Sequence, residues 1–234
     1  MLNITTKIDK NIVISLIIAI FILPYSQLNV HAQTEENEDV ETEYIQSNGD
    51  AFDAFIPYAQ FVKYQYLGNG SNFTVRDIIM EYTSDANGIF QVTEFTGDQA
   101  KAFIYQKRES GLYELAYFDE YNDVQDLRYS SDATDGVDSL IIPSNLSVGY
   151  SYQSGYHKEL TRTIINNFPI VTIGDISYEN VYLIEENSNP NGQGITKHFY
   201  FAPQYGIIQV DEIHGDGSSS ALMQLSHTEG YIGN

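Results

Sequence analysis

Four histidines follow residue 32, namely His157, His198, His214 and His227, and none stands at a metal-type spacing from another. His214 follows Asp211 and Glu212 and precedes Gly215-Asp216-Gly217, which reads either as an acid–base or metal corner or as an exposed turn after a strand. His198, in ITKHFYFA, falls inside a strand among aromatic neighbours. No G-x-S-x-G elbow exists to raise a serine on a strained turn, and no P-loop or dinucleotide fingerprint is present. Glu185-Glu186 is a paired carboxylate, but adjacent residues of a strand point to opposite faces and cannot converge on one bond. With no cysteine there is no thiolate nucleophile, disulfide, cysteine zinc site or lipid-anchor cysteine. These residues predict a non-enzymatic protein with no cofactor.

The residues best suited to a metal are acids in the segment 119–138 (DEYNDVQDLRYSSDATDGVD). There Asp132, Asp135 and Asp138, with nearby carbonyls, offer hard oxygen ligands to Ca²⁺, although the spacing is not that of an EF-hand and Gly136 is misplaced for one. Sequons at Asn69, Asn72 and Asn145 are glycan acceptors in a compartment that glycosylates. The net charge of −21, from 32 acids against 11 bases, argues against nucleic acid as a partner.

Aromatics carry the strongest pattern: 19 Tyr and 12 Phe with no Trp. They fall at consecutive as well as alternate strand positions, so both faces of the sheet carry apolar groups. Such a sheet needs a second cover, which can be another layer, a closed barrel interior or a bound apolar ligand. On the last reading the ligand-facing set is Tyr64, Tyr66, Phe103, Tyr105, Tyr150, Tyr152, Phe199 and Phe201.

These residues are positioned by a chain that begins with export features. Lys7 and Lys10 precede the apolar run 12–23, Pro24 breaks it, and Val30-His31-Ala32 offers a cleavage site after Ala32. Kept as an anchor helix, that run would reach only ~18 Å of a ~30 Å hydrocarbon core, and no later segment is long enough to span. Residues 1–32 are thus expected to be a cleaved signal peptide, and 33–50, with seven acids and almost nothing apolar, a disordered acidic arm.

Residues 51–234 read as one all-β, mainly antiparallel domain with little helix. Strands are predicted at 61–67, 73–83, 89–95, 101–107 and 112–118, separated by turn clusters such as Gly68-Asn69-Gly70. Further strands follow at 139–142, 150–154, 157–167, 170–174, 179–187, 195–202, 205–213 and 220–228. FDAFIPYAQF (52–61) suits a short helical opening before Pro57. The pattern I-P-x6-Y-x-Y occurs at Ile56-Pro57 with Tyr64 and Tyr66, and again at Ile142-Pro143 with Tyr150 and Tyr152. It suggests two related halves, about 51–118 and 139–234, joined by the acidic loop 119–138.

PSNLSVGYSY (143–152), IVTIGDISYENVYLIEE (170–186) and KHFYFAPQYGIIQVDE (197–212) occur in the order of three strand and hairpin motifs of exported β-rich proteins. Together, residues 143–212 resemble uncharacterised secreted or lipid-anchored proteins with a half-barrel of the LolA and LppX type. Tyr stands where those proteins usually have Trp, Gln204-Tyr205 replaces Gly-Val, and the lipidated cysteine is missing. The resemblance implies a curved antiparallel sheet whose concave face can hold acyl chains. The expected function is an exported binding module for an apolar or amphipathic, lipid-like ligand. The alternative is a cell-surface or extracellular-matrix interaction protein. Either is expected to be secreted or extracytoplasmic and associated with the cell surface.

Overall fold

The computed structural model describes residues 52–68, 75–97, 99–188 and 194–232. The expected signal peptide, the acidic arm and the sequons at Asn69 and Asn72 lie outside them. Twelve strands account for most of the described chain. The first six are β1 (Phe61–Gly68), β2 (Arg76–Tyr82), β3 (Ile89–Thr96), β4 (Gln99–Arg108), β5 (Gly111–Phe118) and β6 (Ser139–Pro143). The others are β7 (Ser151–Ser154), β8 (Leu160–Ile173), β9 (Ile176–Asn187), β10 (Thr196–Ala202), β11 (Gly206–Ile213) and β12 (Ser219–Tyr231). One short helix, α1 (Ser131–Thr134), interrupts them, with the Ser130 hydroxyl accepting from the Ala133 N–H at its start.

All the strands belong to one antiparallel sheet in the order β6-β5-β4-β3-β2-β1-β12-β11-β10-β9-β8-β7. The chain meanders outward from β1 to β6 and back from β7 to β12, which pairs with β1 from Phe61↔Tyr231 to Gly68↔Met223. The sheet curls into a nearly closed barrel whose two ends, β6 and β7, meet. Bulges at Gln65/Tyr66, Met80/Tyr82, Ile104/Tyr105, Ile164/Asn166 and Val210/Asp211 supply local twist for that curvature.

Side chains stitch the seam between β6 and β7. Tyr152 and Arg162 both donate to the Ile141 carbonyl (3.0 and 2.8 Å), the Gly155 N–H donates to the Ser139 hydroxyl (2.8 Å), and the Tyr156 hydroxyl donates to Glu114 (2.8 Å).

The six-and-six division differs from the expected one. β6 is laddered onto β5, with Leu112 facing Ile142 and both fully buried, so the meander turns around at 144–150 and not in the acidic loop. The I-P-x6-Y-x-Y pattern likewise falls in two settings. Ile56-Pro57 precedes β1, and Tyr64 and Tyr66 both face inward, whereas Pro143 ends β6 and the exposed Tyr150 precedes β7. The stretches expected as separate strands at 157–167 and 170–174 form the single β8, running through Pro169. Beyond Ile164, which still bonds to Gly149 and Tyr150, this strand has no second ladder partner among the described residues, and a proline is tolerated on such an edge.

The barrel interior is packed. Residues 52–60 open with a helical turn, the Phe55 N–H donating to the Phe52 carbonyl (2.9 Å), and then enter the end of the barrel at which β1 begins, here the proximal end. Phe52, Phe55, Ile56 and Tyr58 are buried there against Tyr64, Tyr66, Phe90 and Phe201. Tyr58 takes a left-handed backbone (φ +65), which sets its ring edge-on to Tyr64 (5.6 Å) and Tyr66 (6.5 Å). Such a backbone costs ~1–2 kcal/mol, comparable to the ~1.5–3 kcal/mol from burying a large apolar side chain. Gly206 (φ +67) backs this plug, and a Cβ there would stand 2.3 Å from the Pro57 Cα.

A second apolar cluster lies on the outer face of β3–β5. Ile89, Ile104, Leu115 and Ala116 are covered by Ala133 of α1 and by Leu127. The acidic segment 119–138 is therefore a strap lying along this face. It begins with the Tyr121 N–H donating to the Ala100 carbonyl and reaches Asp85 and Asn87 through the Tyr129 hydroxyl. Its inner side is fastened by Gln91, which is fully buried. The Gln91 amide nitrogen donates to Glu81 (2.7 Å) and to the Gln125 carbonyl (2.9 Å), and its oxygen accepts from the Leu127 N–H (2.8 Å). Tyr121 also donates to Glu81 (2.7 Å).

Candidate functional site

The eight sheet aromatics do not surround an open space. Tyr64 and Tyr66 are fully buried, Phe201, Tyr105 and Tyr152 nearly so, Phe103 and Phe199 half-buried, and only Tyr150 is exposed. The buried hydroxyls are satisfied within the protein. The Tyr64 oxygen accepts from the N–H groups of Gln60 (3.0 Å) and Phe61 (3.1 Å), and Tyr66 donates to the Ile207 carbonyl (2.8 Å). Burial pushes the Tyr64 and Tyr152 hydroxyls up to about 12. Apart from the exposed Tyr150, which stacks on Tyr152 (6.4 Å), these rings are part of the packed interior, with Phe103 stacked on Tyr105 and Tyr117 (both 6.3 Å).

The acids expected to hold calcium do not converge. Asp132 is in the first turn of α1, Asp135 caps its far end and accepts from the Val137 N–H (2.8 Å), and Asp138 pairs with Arg108 (2.6 Å). Among the described residues no group of three or more histidines and carboxylates is placed to hold a metal ion. His198 lies 3.3 Å from Glu185, and the exposed His214 lies 3.1 Å from the Ser220 hydroxyl. His157 and His227 are exposed on separate elements. Asn145 is exposed, its side-chain oxygen accepting from the Ser147 N–H.

The interior also holds charges that strand alternation alone did not single out. Arg162 and Glu186, nearly buried, form an ion pair at 2.6 Å beneath the Phe199 ring. Arg76 pairs with Glu94 at 3.0 Å. Burial raises the Glu94 carboxyl above the ordinary range, with Arg76 acting against it. Glu114 is raised for the same reason, opposed by hydrogen bonds from Tyr156 and Tyr105 and by Arg162. Each of these acids has a basic or phenolic partner, and the Tyr156–Glu114 bond joins the two ends of the sheet. Its trace in the sequence is a charge at an inward strand position, as at Glu94 between Val92 and Thr96.

Open space gathers at the proximal end. A cleft of about 450 Å³ enters between the plug and the wall of β2–β3. Ile56 and Ala59 line one side, Met80 and Phe90 the other, and Ile232 the rim. Beside it a larger, more polar cleft of about 790 Å³ is lined by Asp85, Asn87, Arg108, Glu109 and Ser144. Asp53, Ser84 and Lys107 belong to both, and the Asp53 and Lys107 side chains form an ion pair between them. Strand β2 supplies Met80 because its inward positions face the plug, while the β2–β3 turn brings Ser84 and Asp85 to the rim. Nothing in the local sequence marks this cleft, since it depends on where residues 52–60 dock.

No helix among the described residues is long and apolar enough to cross a membrane, which says nothing about β-barrel spans. Compared with known proteins, the chain matches no family model, no curated protein and no solved structure.

Proposed function

We propose that this protein is an exported, non-enzymatic binding module for an apolar or amphipathic ligand, and that the ligand seats in the proximal cleft. The observation that carries this reading is the cleft of about 450 Å³ with Ile56, Ala59, Met80 and Phe90 in its walls. Its volume falls in the ordinary range for small-molecule sites, and its apolar walls beside a few charged groups match their usual composition. The packed sheet aromatics shape this site from behind, with Phe90 tilted against Tyr105 (5.4 Å), rather than contacting the ligand over a concave face. The export features of residues 1–32 support an extracytoplasmic setting.

Native mass spectrometry of the protein from its own host tests the reading, together with titration by an apolar dye such as anilinonaphthalene sulfonate. A bound apolar adduct and saturable dye binding are expected in the wild type, and both are expected to be lost in Met80→Trp, whose ring fills the cleft. No adduct and no dye binding, or binding that Met80→Trp leaves intact, would sink the proposal.

A further inference from the structure

Neighbouring strands of the sheet are joined by backbone ladders, but among the described residues no ladder joins β6 to β7, the pair that closes the barrel. Side chains make that junction. The Ser139 and Ser154 hydroxyls lie 3.3 Å apart, Ser139 accepts from the Gly155 N–H, and Tyr156 donates to Glu114. Tyr152 and Arg162 share the Ile141 carbonyl, and Arg162 keeps Glu186 if it leaves. Parting a ladder strands backbone groups in an apolar interior. Parting these contacts exposes hydroxyls, a carboxylate and an edge carbonyl, all of which exchange their partners for water. The seam is therefore the junction that costs least to open.

The surroundings give the movement a direction. At the proximal end the residues 144–150 tie β6 to β7 through the chain, and the Gly149 N–H donates to the Ile164 carbonyl (2.7 Å). Gly149 has a left-handed backbone (φ +92), and a Cβ there would meet nothing within 4 Å, so it is a pivot with room around it. Toward the distal end only the contacts of Ser139, Ser154, Gly155 and Tyr156 fasten the seam.

We infer that the seam is a gate into the barrel. β7, carried on β8, parts from β6 at the distal end and turns about residues 144–150. The gate admits apolar groups, because Ile142 and Tyr152 behind it belong to the barrel's buried cluster. The exposed Tyr117 and its ring partner Tyr156 (6.0 Å) stand at its distal edge. This way in lies at the other end from the proximal cleft and does not depend on that cleft holding a ligand.

The chain has no cysteine, so an introduced thiol reports opening directly. Ser154 is fully buried at the seam, and Val92 is as deeply buried in β3, away from it. Ser154→Cys and Val92→Cys are made separately in the full chain and labelled with Ellman's reagent in native buffer. Each rate is divided by that of the same variant unfolded in urea. Ser154→Cys is expected to react at least about 100-fold faster than Val92→Cys, whose thiol is reached only when ladders open. Adding Tyr156→Phe, which removes the bond to Glu114, should speed the Ser154→Cys reaction roughly tenfold, the size of one hydrogen bond, and leave Val92→Cys unchanged. Equal rates at the two positions, or a Ser154→Cys rate that Tyr156→Phe does not raise, would overturn the gate. Should a cysteine variant fail to fold, amide exchange in the wild type decides. The Gly155 N–H should then exchange at least about 100-fold faster than the Val92 N–H, and equal protection of the two would overturn the gate.

Discussion

The two halves of this sheet contain six strands each yet bury them differently. In β3 the first six residues, Ile89 to Glu94, are all buried, whereas in β8 only Ile164 and Ile173 are. Both strands face the same packed interior, so the difference lies outside. The strap 119–138 covers β3–β5, while around β8 and β9 the outer side chains stay wet, with Ile170 61% and Ile176 45% exposed. Composition alone makes the strap look like a solvated linker, with seven acids in its twenty residues. Its hold comes from a few groups between those acids, namely Tyr121, Leu127 and Ala133, and from one buried amide across from them. An acidic segment can thus serve as the second layer of a sheet if a few of its apolar residues face the sheet, even while Val124 and Val137 stay exposed.

Removing a side chain from beneath the strap should break the contrast most strongly. Ile104 is fully buried in the outer cluster, so Ile104→Ala is expected to cost about 3–4 kcal/mol in urea unfolding. Ile170→Ala, on the uncovered half, should change stability by less than about 0.5 kcal/mol. Equal costs at the two positions would show that the strap does not shelter β4 in solution.

A somewhat smaller effect is expected at the polar fastening. Gln91→Leu removes one donor to Glu81 and to the Gln125 carbonyl, which keep the Tyr121 hydroxyl, and leaves the Leu127 N–H without its acceptor, at about 2 kcal/mol. Limited proteolysis separates this from a general loss of packing. Cleavage within 119–138 should accelerate under conditions where the barrel remains folded. Unchanged protection of that segment would mean that the apolar contacts of Leu127 and Ala133 alone hold it.

Most strands could be read from the sequence because each is an aromatic, β-branched run closed by Gly, Asn or Asp. β3 was expected at 89–95 and runs Ile89–Thr96; β11 was expected at 205–213 and runs Gly206–Ile213. The barrel-like sheet was within reach for the same reason, since consecutive hairpins leave few other arrangements. Three features carry no local signal. The pairing of β1 with β12 joins residues far apart in the chain, such as Phe61 and Tyr231. The docking of residues 52–60 depends on Gly206 leaving room for Pro57. The strap depends on Gln91, one polar residue in an apolar run. The candidate cleft inherits all three, which is why the expected aromatic site and the observed opening have no residue in common.

The smallest effects should appear as opposite pH slopes on the two layers. On the strap, Arg128 holds Asp126 below the usual carboxylate range through a hydrogen-bonded ion pair, 2.7 Å at its shortest. An acid with a depressed folded-state pKa stabilises the fold above its unfolded value, here 3.8, and that stabilisation disappears as pH falls through the depressed value. Inside the barrel Glu114 behaves in reverse. Burial raises its pKa, so the folded state binds the proton more readily than the unfolded one. Stability should therefore fall as pH rises from 4.5, the unfolded value, through the raised folded one. Urea unfolding between pH 3 and pH 7 can separate the two. Asp126→Asn should be less stable than wild type at pH 7, with the gap closing only below the Asp126 unfolded value. Glu114→Gln should gain on wild type as pH rises above the Glu114 unfolded value. If Glu114→Gln instead loses ground with rising pH, the ionised carboxylate is the form that the Tyr156 and Tyr105 hydroxyls and Arg162 hold in place across the seam. The interior charges would then stabilise closure of the barrel at neutral pH, as the strap's ion pair stabilises its cover.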